Sequence, residues 1–380
     1  MPRVRGGLLA AVLLLVTALL GVAPSQAAPA RAAIAASPAA FDVTGVDLHD
    51  GQLLKVGSTF ELIGTEYGCG YQWYVAGTPW CGFGVSTAPS MTGPWSTPVL
   101  LFSPTDIDPW TGTTWNTECG GTGQGCFNGR MIQRSGWGAN DGAFVFWFNS
   151  PVDYSRSRAN AYNVMGCNSP TGPCGPSAGA PYGSYHKPNL WSDGACNGDF
   201  GLIQSGTPGQ APAMVCSQAG AVGIAIEQLD YWGTNGVQGT GGRGIGGMTS
   251  VEGTGGYYDQ ATSTYILTYS DPGCGYCAGT GTGYATAPSL LGPYAAPVNL
   301  AAGAPPATGR RDLSATSCGG QPRTVSVVDG QAWQGIDLWT GTANETNAGL
   351  HFEPLTYTPG SGTAGDGQPW RPPFAPWTCN

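Results

Sequence analysis

Ser86-Thr-Ala-Pro-Ser-Met-Thr-Gly-Pro-Trp95 and Ala285-Thr-Ala-Pro-Ser-Leu-Leu-Gly-Pro-Tyr294 are two copies of one segment, and Gly166-Cys-Asn-Ser-Pro-Thr-Gly-Pro-Cys174 is a more divergent third. Each ends a group of strand-like runs with Gly-Pro, a pair that punctuates structure by turning the chain. The same turn chemistry therefore closes the same unit repeatedly, which is the mark of a repeat architecture. Between these turns, apolar runs of strand length recur at 52–56, 59–63, 143–148, 265–269 and 324–328, bounded by Gly, Pro, Asn and Asp. No stretch sustains a helical period, so the reading is nearly all strand and turn.

Units of about four strands, spaced roughly 50 to 70 residues apart, predict propeller blades, because one such sheet cannot bury both faces until it packs on neighbours. Five are expected, beginning near Asp50, Asn128, Asn197, Val251 and Leu313. The expected fold is an all-β, five-bladed β-propeller. A sandwich or jelly roll is the competing arrangement that strand content alone allows. Composition agrees with a turn-rich but packed chain: 63 Gly and 31 Pro supply the turns, and the 41% hydrophobic fraction supplies a core.

At the N-terminus, Arg3 and Arg5 precede an apolar run over 8–23 that is followed by Pro24-Ser-Gln-Ala-Ala28. This reads as a signal peptide over 1–28, since the run is short for a membrane span and lacks a basic stop-transfer cluster. An Ala/Pro-rich linker over 29–40 and a single domain over 41–380 are expected to follow, the Gly/Pro-rich tail wrapping back onto the domain. The protein is therefore expected to be secreted. Its formal charge of −9, with no basic stripe, argues against nucleic acid or an anionic membrane as partner. Oligomeric state is not legible.

Twelve cysteines in a chain bound for an oxidising compartment read as disulfides. Close spacing suggests Cys69 with Cys81, Cys119 with Cys126, Cys167 with Cys174, and Cys274 with Cys277. The remaining four are assigned as Cys196 with Cys216 and Cys318 with Cys379. Cys274-Gly-Tyr-Cys277 has zinc-like spacing, but there is no second Cys-x-x-Cys pair and the three histidines stand far apart, so no metal site is expected.

Three carboxylates stand at the mouths of strand-like repeats, in Asp50-Gly-Gln-Leu-Leu, Asp199-Phe-Gly-Leu-Ile and Glu252-Gly-Thr-Gly-Gly-Tyr-Tyr. Equivalent points of a radial repeat converge on its axis. Acids facing one another there can divide labour, one protonated to donate to a leaving oxygen and one ionised to activate water, as glycosidic cleavage requires. Asp-Gly is also a common turn signal, so it is the three motifs together that favour chemistry over a turn at Asp50.

These three segments resemble the acidic motifs of glycoside hydrolase family 43, five-bladed propellers that invert anomeric configuration. The resemblance implies Asp50 as general base, Asp199 as the group that tunes and orients the acid, and Glu252 as general acid. A longer run, 269–289, with Gly64-Thr-Glu66-Tyr-Gly-Cys-Gly-Tyr and Ser317-Cys-Gly-Gly-Gln321-Pro, is similar to exo-β-1,3-galactanase-type members. Those use a Gln of the last blade in place of the Asp base, which maps to Gln321. This chain departs from them in keeping Asp50 and in carrying Phe127-Asn-Gly-Arg130 where they have an acidic segment. No cofactor is expected, and a structural calcium is suggested by the resemblance alone.

Around the acids, Glu66, Arg130, Asp153 and Gln321 are candidate substrate-binding residues, with His49 a further possible contact beside Asp50. Glu227 reads as a surface group of an outer strand. Trp73, Trp80, Trp110 and Trp115 fall in long loops and offer apolar faces for stacking on sugar rings. The expected function is an inverting glycoside hydrolase acting on plant-type polysaccharide or its side chains, of the arabinan, galactan or xylan class, with an oligosaccharide or polysaccharide as partner. The alternative is a non-catalytic carbohydrate-binding propeller, since one fold hosts many functions.

Overall fold

The computed structural model describes residues 38–121, 123–133, 144–150, 160–175, 185–192, 196–207, 209–218, 223–241, 245, 250–295, 310–359 and 372–379. After β1 (Phe41–Val43), the chain forms β2 (His49–Val56), β3 (Thr59–Thr65), β4 (Phe83–Ala88) and β5 (Val99–Leu100) as the first antiparallel sheet. The second contains β6 (Phe127–Gln133), β7 (Phe144–Asn149), β8 (Tyr162–Cys167) and β9 (Tyr185–His186). Next come β10 (Cys196–Ile203), β11 (Ala213–Gln218) and β12 (Ile224–Gln228), three described strands rather than the expected four. The fourth sheet is β13 (Glu252–Asp259), β14 (Thr264–Asp271), β15 (Gly281–Ala287) and β16 (Asp312–Ser314). In the fifth, β17 (Gln321–Val328), β18 (Gln331–Leu338) and β19 (Gly349–Leu355) are completed by β1, whose Phe41, Asp42 and Val43 pair with Phe352, His351 and Leu350. The molecule is a five-bladed β-propeller.

One expected boundary moves. Leu313 lies in β16, the outermost strand of blade four, and the inner strand of blade five begins at Gln321. The apolar Leu313 resembled a strand start because it packs between blades four and five, against Val325 and Leu355.

Five apolar clusters match the five interfaces between blades. In β7, Phe144, Phe146 and Phe148 join Phe83 and Val85 of blade one, whereas Val145 and Trp147 join Phe200 and Met214 of blade three. The period of two in a strand thus feeds alternate side chains to opposite neighbours, which is why the run is apolar throughout. Corresponding clusters lie between blades three and four, four and five, and five and one. Burying each large apolar side chain contributes about 1.5–3 kcal/mol, so no blade retains that term without its neighbours.

The repeated turns have one construction. After β4, β8 and β15, the N–H groups of Gly93, Gly172 and Gly292 donate to the carbonyls of Ser90, Ser169 and Ser289, and those serine hydroxyls donate back to the glycine carbonyls. The three glycines have φ of +91°, +82° and +87°. A side chain at such angles is strained, so the turn selects glycine. All six expected disulfides are present, including Cys196–Cys216 and Cys318–Cys379. Among the described residues no helix is long and apolar enough to cross a membrane.

Candidate active site

Every inner strand breaks its ladder register at the same end. The shifts lie between His49 and Gln52, Phe127 and Arg130, Cys196 and Phe200, Glu252 and Gly255, and Pro322 and Val325. A bulge bends its strand and re-aims the side chains beside it. Asp50, Asn128, Asp199, Glu252 and Arg323 all lie within these five irregular stretches. Asp50 and Asn128 adopt left-handed backbone angles, φ 51° and 60°, a region that Asp and Asn tolerate better than most residues.

The re-aimed groups form a closed hydrogen-bonded ring across blades one, two, three and five. The Asn128 backbone N–H donates to Asp50 Oδ1 at 2.9 Å, and its Nδ2 donates to Asp199 Oδ1 at 2.8 Å. Arg323 Nη1 reaches Asp199 Oδ2 at 2.6 Å, while its Nε reaches Asp337 Oδ2 at 2.7 Å. The Asp50 N–H closes the circuit on Asp337 Oδ1 at 3.0 Å. Thr65 Oγ1 adds a donor to both carboxylate oxygens of Asp50. Glu252 of blade four stands beside the ring, with Gln321 Nε2 at 3.4 Å from its Oε2. Gln321 is itself fixed, since its Nε2 donates to the Cys274 carbonyl and its Oε1 accepts from Trp339 Nε1.

Asp50, Asp199, Glu252, Gln321 and Arg323 line one cavity of about 360 Å³, with Trp73, Tyr74 and Tyr276 also in its lining. Burial raises the Glu252 carboxyl from its ordinary 4.5 to about 7; the charge of Asp199 pushes the same way and Arg323 opposes it. Like-charge repulsion from Asp199 is therefore second to desolvation. Asp50 is raised to about 7, also mainly by burial, with Arg323 opposing. Burial works against the charge of Arg323, but Asp199, Asp337 and Asp50 outweigh it and raise its pKa.

The other sequence candidates lie elsewhere. Arg130 is buried, and its guanidinium donates to the carbonyls of Phe200, Asp50 and Gly129 and to Asn128 Oδ1. It is committed to holding the inner strands together and is absent from the cavity lining. Glu66 is partly buried against Gly84 and close to Asp47, also outside the lining. His49 is enclosed by Tyr67 and Trp339 and faces Asp47. Asp153 lies outside the described residues. Glu227, expected on the surface, is buried and accepts the backbone N–H groups of Trp191 and Ser192. Of the four loop tryptophans, Trp80 and Trp115 are core residues, Trp110 is exposed, and Trp73 reaches the cavity.

Sequence reading missed Asn128, Arg323 and Asp337. Asn128 had a signal, since it falls at an expected blade start; Arg323 and Asp337 had none, because their roles depend on the bulge in β17 and the β17–β18 pairing. A calcium at the axis does not fit these residues. The ion takes about six to eight oxygen ligands, whereas the acids here are met by Arg323, Asn128 and Thr65 donors, with the Arg130 guanidinium alongside. The metal-type cluster among the described residues, Cys318, His351 and Glu353, has its sulfur in a disulfide.

No family model and no curated protein match the sequence. Solved structures do match. An exo-β-1,3-galactanase from Phanerochaete chrysosporium, determined with galactose, superposes with a TM-score of 0.58 at 18% identity, over 83% of this chain and 65% of that one. An exo-β-1,3-galactanase from Clostridium thermocellum gives 0.58 at 14% identity, over 84% and 63%. A β-1,3-galactosidase of glycoside hydrolase family 43, determined with galactodeoxynojirimycin, gives 0.60 at 13% identity, over 83% and 92%. The fold is similar to that of these enzymes, a five-bladed β-propeller. This chain spans under two thirds of either galactanase chain, and at these identities the likeness is one of fold.

Proposed function

We propose that the protein is a secreted inverting glycoside hydrolase acting on plant-type polysaccharide or its side chains, with a β-linked galactan as the first substrate to test. The observation that carries this reading is Glu252, a carboxyl raised to about 7 in the same cavity as the ion-paired Asp199 and as Asp50. A carboxyl half-protonated near neutrality suits a general acid that donates to the leaving oxygen. Asp199, held by Arg323 and Asn128, supports the proton on Glu252 through its charge.

Asp50 is assigned as the base that takes a proton from the attacking water. Gln321 is the reserve candidate, but its amide lies 3.4 Å from Glu252. An inverting pair needs a gap of about 6.5 to 9.5 Å to hold water on the far face of the sugar. Asp50, on another blade and in the lining of the same cavity, is therefore the first choice. The choice of galactan over arabinan or xylan rests on the sugars acted on by the structural neighbours. Six disulfides and a signal-like N-terminus support secretion.

A panel of aryl glycosides and polysaccharides tests the reading. A hydrolase releases reducing sugar from at least one member, and Glu252→Gln lowers turnover on poor leaving groups by roughly two to four orders of magnitude. Affinity without release would identify a carbohydrate-binding propeller instead. If Asp50→Asn retains activity and Gln321→Ala abolishes it, the base is Gln321.

A further inference from the structure

The connection from β3 to β4, residues 66–82, is long and closed by the Cys69–Cys81 disulfide. Its Trp73 and Tyr74 enter the cavity lining. The Tyr74 N–H donates to the Gly123 carbonyl of the loop before β6, and the Trp73 N–H donates to the Ala343 carbonyl of the loop after β18. Asn344 Nδ2 donates back to the carbonyls of Tyr67 and Tyr71, and the Tyr67 hydroxyl meets the Tyr276 hydroxyl at 2.7 Å. Blade one is thereby tied to loops of blades two, four and five.

Three rings of this region line the cavity. Trp73 lies between Tyr74 and Tyr276, with centroids 4.2 and 4.5 Å away. Its edge sits over Gly275, where an added Cβ would fall 2.2 Å from the indole. Tyr74 is 71% exposed, although its φ is +60°. A bulky residue held in that conformation is costly, and such outliers cluster where a ligand is clamped. Water-facing aromatic surface in a cavity, with neutral amide groups nearby, suits the apolar C–H face of a sugar.

The position of the wall relative to the acid gives it a role. The loop bearing Tyr276 packs on Glu252, since a Cβ at Gly273 would lie 2.7 Å from Glu252 Cβ, and its Cys274 carbonyl holds the Gln321 amide that touches Glu252. A general acid sits beside the leaving oxygen, so the sugar leaving with that oxygen passes next to this loop. We propose that Trp73, Tyr74 and Tyr276 form the platform for the sugar unit on the leaving-group side of the cleaved bond, and that Trp73 and Tyr74 set the preference for oligosaccharides over substrates with small leaving groups. This rests on the glycosidase reading above.

The test compares kcat/KM for β-1,3-galactotriose with that for β-galactosyl fluoride, whose leaving group is a single atom with nothing to stack. In Trp73→Ala and in Tyr74→Ala the trisaccharide-to-fluoride ratio should fall about tenfold, as expected for losing most of one buried apolar face. Trp73→Phe should restore most of the ratio. Tyr74 is exposed, so its variant reports even if Trp73→Ala does not fold. Ratios equal to the parent's in both alanine variants would overturn the proposal. If the parent cleaves neither substrate, the choice of galactan fails separately, and calorimetric titration with galactotriose decides the platform. Affinity at least about tenfold weaker in the variants supports it; equal affinity, or no binding by the parent, overturns it.

Discussion

At the residue scale, the buried acids carry a pH signature. Burial raises Asp50, Glu66 and Glu252 to about 7 and Asp312 to about 8, from ordinary values of 3.8 or 4.5. Each binds its proton more tightly in the folded chain than in the unfolded one. Their contribution to stability is therefore fully present below the unfolded values near 4 and is lost as pH rises through 7 to 8. The thermal midpoint should be higher at pH 5 than at pH 8, and Glu252→Gln should narrow that difference; a midpoint that rises across this range would contradict the burial argument. Catalysis should follow the same groups, with turnover falling above pH 7 as Glu252 loses its proton and below pH 7 as Asp50 gains one. Sequence reading named Asp50, Asp199 and Glu252 because each stands near the mouth of a strand-like repeat, and Gln321 through the galactanase-like resemblance; all four line the cavity. It read Arg130 and Glu66 as ligands for sugar because a charged side chain near a motif looks the same whether it meets solvent or carbonyls. Only the packing separates those cases.

At the scale of elements, the serine–glycine turn recurs in three blades and the inner-strand bulge in all five. The turn was legible, since its Gly-Pro and serine repeat in sequence; the bulge was not, since it depends on pairing across a ladder and leaves no residue pattern of its own. Gly172 tests the turn. At φ +82°, an added Cβ would lie 3.0 Å from the Leu101 carbonyl oxygen, so Gly172→Ala should destabilise the protein by about 1–3 kcal/mol in urea unfolding. A change within about 0.5 kcal/mol, the range of an ordinary surface substitution, would mean that the turn does not need glycine. Strand spans such as 324–328 were readable from apolar runs, while the start of blade five was misplaced by an apolar outer strand.

At the scale of the molecule, a propeller holds only while its ring is closed, and here the closure is the pairing of β1 with β19, with Phe41 stacked on Phe352 at 5.0 Å. Phe41→Asp should lower the thermal midpoint by several degrees by weakening that pairing; an unchanged midpoint would mean the ring is held by its blade interfaces and disulfides alone. Titration of the denatured, unreduced protein should find about zero free thiols, as six disulfides require, and several reactive thiols would refute the pairing. The central claim is that Glu252 and Asp50 act from opposite sides of one sugar with water between. Proton NMR of the anomer first released from β-1,3-galactotriose tests it most directly. The account predicts α-galactose at early times, before mutarotation; β-galactose as the first product would contradict it.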